Sequence, residues 1–422
     1  MPLKLNLKKM KKDFKLIPTV SFILALSVVL FSCKKDEGCT DSAATNFDSA
    51  AEVDDGSCEY GQSQTLQVPT TYSFADGNGN STVSFNGQAQ RLEMLQEITS
   101  YCKEANTSGT AVSSETLLDM YANANGYVWA LNPDTLGMTG SSKNLKSKTA
   151  ASSGSADPAI QDYFEGLMND LAATSMTTVM DDPQGGNGVA GVVVSTTNTS
   201  KMYLQDANGN EWTQLIEKGL MGACLMNQIS AYYLSDAKMD VDNSTAVDAD
   251  AGKYYTEMEH HWDEAYGYFT TAKDYPTNGA NRFWGKYAGS TREEHLGTAT
   301  AISDAFRTGR AAIVAQDYVV RDTQIAIIQE NMELVAVGTA IHYLNDAMGN
   351  FGDDALRNHE LSEAVAFMQA IPYGHDAQMT MAEVNAQIEA LGSFYTVSLQ
   401  TIQEVKDVLV SQYSLEMHAD ML

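Results

Sequence analysis

Apolar positions recur at intervals of three and four along most of this chain, a spacing that gathers them on one face of an α-helix. Such runs cover residues 91–105, 158–173, 212–234, 253–269, 301–320, 321–348, 361–371, 381–391 and 400–412. Within them, LVAVGTAIHYL at 334–344 is apolar almost all round, which predicts a central, fully buried helix. Strand signals are confined to the start, where TYSF at 71–74 and STVSF at 81–85 flank the turn residues ADGNGN. Ser/Gly-rich 139–156 and Pro/Gly-rich 181–191 read as surface loops. The pattern predicts an all-α fold, an antiparallel helical bundle (one bundle or two) with a small N-terminal β-hairpin, filling residues 68–422.

The first 67 residues follow a different logic. Six lysines precede an apolar run at 16–31 that ends in Leu30-Phe31-Ser32-Cys33. A basic segment, a short apolar core and small residues at the cut site make a secretory signal over residues 1–32. The alternative, a membrane anchor, falls short of the ~20 apolar residues a bilayer helix needs. The ending resembles a bacterial lipobox, which implies that Cys33 is lipidated and becomes the first residue of the mature protein. Residues 33–37, with Lys34-Lys35-Asp36-Glu37 after the cysteine, resemble an export tag that sends lipoproteins to the outer face of the outer membrane.

Residues 38–60 read GCTDSAATNFDSAAEVDDGSCEY. So short a segment cannot bury a core and needs a staple. In an oxidising compartment a disulfide between Cys39 and Cys58 supplies one. The segment resembles the CTD…DDGSC module of Bacteroidota surface proteins. Asp41, Asn46, Asp48, Asp54 and Asp55 offer hard oxygen donors suited to Ca²⁺. Their spacing is not that of an EF-hand, and turn-forming aspartates account for the same residues. Residues 61–67 read as a linker. Of the remaining cysteines, Cys102 and Cys224 lie in helical, partly apolar settings, where they either pair or stay buried as free thiols.

Charge narrows the partners. The formal net charge is −28 with no basic stripe, and removing the lysine-rich leader makes the rest more acidic still. Such a surface repels nucleic acid and anionic lipid. The expected contacts are the outer membrane through the lipid, and a TonB-dependent receptor or another envelope protein.

The blocks STVSFNGQAQRLEM, IEKGLMGACLMNQI, MEHHWDEAYGYF, NRFWGKY, GRAAIVAQDYVVRDTQIAII, AIHYLNDA and HELSEAVAFMQAIPY occur in that order. Together they resemble an uncharacterised domain-of-unknown-function family of Bacteroidota lipoproteins over residues 68–422. More distantly they are similar to imelysin-like proteins, helical envelope lipoproteins linked to iron uptake. That resemblance implies a binding role and, as an alternative, a metallopeptidase.

Candidate chemistry concentrates in EHHWDEAYGYF at 259–269. On a helix, His261 and Glu264 share a face, and His260 also reaches Glu264. His261-Trp-Asp-Glu264 has the HxxE pattern of imelysin-like proteins. A transition metal or iron complex needs more ligands than one helix supplies, and carboxylate bundles draw them from several helices. His342, in the apolar helix with Asp346 at i+4, is the candidate second contributor. The metal set is therefore His260, His261, Glu264 and His342. The structural alternatives are an aromatic seam at 259–269 and a satisfied core histidine at 342. His359, Glu360 and Glu363 read as a helix start capped by Asn358. Arg307, Arg310 and Arg321 read as partners of bundle carboxylates. Residues 186–191 match GxGxxG but follow a loop rather than a strand, which removes the dinucleotide reading. With no complete catalytic constellation, the expectation is a non-enzymatic binding component for iron or a metal complex. An imelysin-type metallopeptidase and a structural partner of an outer-membrane receptor are the alternatives.

Overall fold

In the computed structural model, residues 36–40, 44, 46–48, 50–58, 66–131, 135–181, 184–278 and 282–422 are described. Cys33, with the lipid attachment expected there, and Asp41 lie outside them. The chain divides into two compact units, residues 1–61 and 62–422.

In the first unit, β1 (Glu37–Gly38) pairs in parallel with β2 (Val53–Asp54). A disulfide joins Cys39 to Cys58 across a separation of 19 residues. Closing a loop of that size in the unfolded chain is worth about 3 kcal/mol. The acidic residues build turns. Asp48 accepts the Ala50 N–H at 2.9 Å, Asp54 that of Gly56 at 3.0 Å and Asp55 that of Ser57 at 2.9 Å, while Asn46 donates to the Ser57 carbonyl. The Ser57 hydrogen bonds hold the Asp55 carboxyl below its ordinary pKa. Asp48, Asp54 and Asp55 thus each have a backbone partner, the turn-forming reading of the set considered for Ca²⁺.

The second unit is helical. Its elements are α1 (Asn86–Glu104), α2 (Ser114–Ala122), α3 (Pro158–Met180), β3 (Gly191–Val194), β4 (Met202–Gln205) and α4 (Trp212–Leu220). α4 runs on as a π-helical stretch, Met221–Tyr233. Then follow α5 (Asp236–Met239), α6 (Glu257–Phe269), α7 (Phe283–Ala288), α8 (Thr291–Leu296), α9 (Thr298–Ala315), α10 (Tyr318–Gly349), α11 (Asp354–Ala370), α12 (Met381–Leu391) and α13 (Leu399–Gln412). No helix among the described residues is long and apolar enough to cross a membrane.

α10 is the spine. Its 32 residues span roughly 48 Å, and the segment from Ile328 to Ala347 contributes a run of fully buried apolar side chains, as its all-round apolar pattern requires. It packs along α9 and α11, whereas α6 packs on the π-helical stretch, α1 and α9. Close approach of α6 to α9 depends on Gly309, where a Cβ would come within 2.2 Å of Trp262. The π-helical stretch is held by tertiary bonds to its own carbonyls. Met221 O accepts from Trp284 Nε1 at 2.9 Å, Ala223 O from the Ala150 N–H at 2.6 Å and Ser230 O from Gln329 Nε2 at 2.9 Å. Such partners compensate the looser i→i+5 ladder.

Two strand assignments change. The hairpin expected over 71–85 reduces to one bridge, Ala75 to Ser81. Asp76 takes the N–H groups of Asn78 and Asn80, which closes the turn. The flanks are drawn instead to a buried ionic cluster. Arg310, fully buried, binds Glu259 at 2.6 Å, Asp263 at 3.1 Å and the Thr82 carbonyl at 3.1 Å, while Asp263 accepts from Tyr72 OH at 2.7 Å and from the Ser84 N–H at 2.9 Å. The antiparallel ladder forms at β3 and β4 instead, with Val192 opposite Leu204. The loop expected over 181–191 leads directly into it.

Candidate functional site

α6 begins with a capping box. Thr256 accepts the Glu259 N–H, and the Glu259 carboxylate accepts the Thr256 N–H. That start orients the next turns, so Glu259 and Asp263 face Arg310 while His261 and Glu264 face elsewhere. His261 is buried, with Nδ1 2.8 Å from the Lys238 carbonyl and Nε2 3.4 Å from Lys238 Nζ. A carbonyl only accepts, so Nδ1 carries the proton and Nε2 accepts from the ammonium. Burial holds the ring below the ordinary histidine pKa, against the Lys238 carbonyl bond that favours its charge. His260 donates from Nδ1 to the Ser84 carbonyl at 3.1 Å and stacks on Tyr255, centroids 4.5 Å apart. Glu264 Oε1 accepts from Gln88 Nε2 at 2.8 Å and from Tyr233 OH at 3.1 Å.

His342 belongs to other company. Its Nε2 lies 3.4 Å from Asp346, the i+4 partner expected from spacing, and its pKa is lowered by burial and by Arg292. The α10 helix closes on α9 and α11 rather than on the His261 face, because its apolar stripe is buried there. The set His260, His261, Glu264 and His342 therefore does not form one centre, and each member has its own partners. Among the described residues no three His, Cys, Asp or Glu side chains gather in a way that would hold a metal ion, in this unit or in the acidic module.

The α11 residues read as a helix start are instead the middle of a buried polar seam. The N-cap is Asp353, which accepts from Ala355 and Leu356, and Asn358 is fully buried one turn inside. His359 Nδ1 lies 2.5 Å from Glu211 at the start of α4, its Nε2 3.6 Å from Glu363, and its ring stacks on Tyr203 at 4.1 Å. Burial disfavours the charged ring, but the two carboxylates outweigh it and the pKa rises. Lys218 completes the seam, 2.7 Å from Glu217 and 3.6 Å from Glu363. Glu360 accepts from Asn350 at 2.7 Å through Oε1, but Oε2 has no partner, and Glu363 Oε2 is likewise unpaired. Burial, with Asp346 nearby, raises the Glu360 pKa to about 7. The seam thus sets a carboxyl held toward its protonated form beside an imidazole held toward its charged form.

Two features escaped the sequence. A cavity of about 510 Å³ opens at the start of α1, bordered by Val83, Phe85, Leu136, Lys273 and Arg282. Arg282 pairs with Glu93 at 2.7 Å, and Lys273 Nζ stands 6.0 Å over the Phe85 ring. The other is a lysine pair beside His261. Lys148 Nζ and Lys238 Nζ lie 5.1 and 5.0 Å from the centroid of one ring, Tyr232. Scarcity of cations was the available signal, but these two stand in segments that no helical period connects. Arg307 and Arg321 pair with Asp304 and Asp322, as bundle cations should. Cys102 and Cys224 are buried free thiols, and burial raises the pKa of both.

Fold and clusters together define an all-α protein whose helices are joined by buried ionic seams, with a cation-bordered cavity at one helix start. The chain belongs to the family described as Domain of unknown function (DUF4856), which it matches over residues 69–415. Comparison with curated proteins and with solved structures returns no match.

Proposed function

We propose that this protein is a non-enzymatic binding component of the bacterial envelope, held at the outer membrane through lipid on Cys33. Its helical unit takes up a small metal complex, iron complexes included. The observation that carries this reading is the 510 Å³ cavity at the start of α1, within the size range of small-molecule sites. Lys273 borders it and makes no ion pair among the described residues. In a chain of net charge −28 such a cation draws an anionic ligand locally. The metal would arrive with its own ligands, since His260, His261 and Glu264 are each engaged in hydrogen bonds. Calorimetric titration of the purified protein with ferric citrate and with haem tests this. Saturable binding lost in Lys273→Ala and in Leu136→Trp, which fills the cavity, is expected. Failure of both compounds to bind would sink the proposal and favour a structural partner of an outer-membrane receptor.

A further inference from the structure

The face of α6 that carries His261 and Glu264 meets a cationic, aromatic corner with no assigned role. Lys148 stands at the end of a short 3-10 turn, Lys146–Lys148. Two residues on, Ala150 adopts φ 49° and gives its N–H to Ala223 O at 2.6 Å, which pins the segment onto the π-helical stretch. An L residue accepts that left-handed backbone only where its surroundings over-determine it. Lys238 comes from α5 and is fixed by its carbonyl bond from His261. The two ammonium groups reach the Tyr232 ring at 5.1 and 5.0 Å, and Lys148 also lies 5.5 Å from the Tyr233 ring, donating to its hydroxyl at 3.5 Å. Tyr233 OH passes the chain on to Glu264.

Neither lysine makes an ion pair with a carboxylate among the described residues, although the chain is rich in acids. Glu264 is near, but its Oε1 already accepts from Gln88 and Tyr233. Ring faces satisfy an ammonium only in part, and two like charges beside one ring repel each other. Burial, with the Arg91 and Lys238 charges, pushes the Lys148 pKa down, and the Glu264 charge offsets that only in part. Lys148, Tyr232 and Lys238 are all half-buried, so a solute can reach them.

We propose that Lys148 and Lys238, both beside the Tyr232 ring, form a second binding site that takes a small oxyanion, either a carboxylate or a phosphate. The anion sits against both ammonium groups and the His261 edge, independently of the cavity at α1. Titrating the full-length protein with inorganic phosphate and with citrate, by calorimetry, tests this. Saturable binding of at least one is expected, and which one binds names the source chemistry. Lys148→Gln and Lys238→Gln should each weaken it about tenfold, while Lys148→Arg and Lys238→Arg retain it. Lys201→Gln, at an exposed lysine outside both sites, should leave it unchanged. The bound anion should also raise the His261 pKa, read by NMR titration, because a nearby negative charge favours imidazolium. Absence of saturable binding by both anions overturns the proposal. So does binding indifferent to both lysine-to-glutamine changes in variants whose thermal melts match the parent.

Discussion

Glu360 gives up most of its water in the seam between α10 and α11, and only Oε1 gains a partner in return. Burial is the main reason its pKa rises from 4.5 to about 7. A raised carboxyl pKa means that the folded state holds a proton the unfolded state has released. Stability therefore falls as the pH climbs from the unfolded value towards 7, and levels off above it. At about 1.4 kcal/mol per pKa unit, ionised Glu360 costs the fold about 3 kcal/mol in the alkaline limit. Glu360→Gln keeps the oxygen facing Asn350 and cannot ionise, so it removes that cost. Urea unfolding at pH 4 and at pH 8.5 reads the effect. The variant should match the parent at the lower pH to within about 0.5 kcal/mol and exceed it by about 2–3 kcal/mol at the higher. His359 steepens the parent's pH dependence in the same direction. Its pKa is also raised, so its contribution is complete below 6.5 and fades as the pH passes the folded value. That slope should survive in Glu360→Gln. A variant no more stable than the parent at pH 8.5, or one shifted equally at both pH values, would refute the reasoning.

Further tests follow from the same geometry. Gly309→Ala puts a methyl within 2.2 Å of the Trp262 ring on α6 and should destabilise the protein by about 1–3 kcal/mol, read as a lower thermal midpoint. An unchanged midpoint would mean that α6 and α9 are not held that close. His261 and His359 should titrate on opposite sides of the ordinary histidine pKa in a two-dimensional NMR titration, His261 below and His359 above. The sign for His261 is the reverse of that for His359. Its depressed pKa means that stability is lost as the pH falls below 6.5. Coincident titration curves would count against both assignments.

The helices themselves were legible because their apolar period is local. Residues 334–344 announce a buried helix, and α10 buries them apart from the half-buried Leu334, His342 and Tyr343. The i+4 pairing of His342 with Asp346 was equally local. The strands were not. TYSF and STVSF alternate as a hairpin should, yet Arg310, more than two hundred residues away, offers Thr82 a charged donor while Asp263 takes Tyr72 and Ser84. Those charge-assisted bonds to a buried cluster displace a two-stranded ladder that would be marginal alone.

The sites divide in the same way. Periodicity determines which residues share a helix face, so the sequence by itself established that His261 and Glu264 share one. Which face meets which is set by the packing of apolar stripes from distant segments. That packing carried His342 to α11 rather than α6, and brought Glu211 and Lys218 to His359. It also set Lys148 and Lys238 on one tyrosine ring. Burial then decided the chemistry, because the protonation of His261, His359 and Glu360 depends on how much water each loses and which charge replaces it. Neither quantity is written in the spacing of residues along the chain.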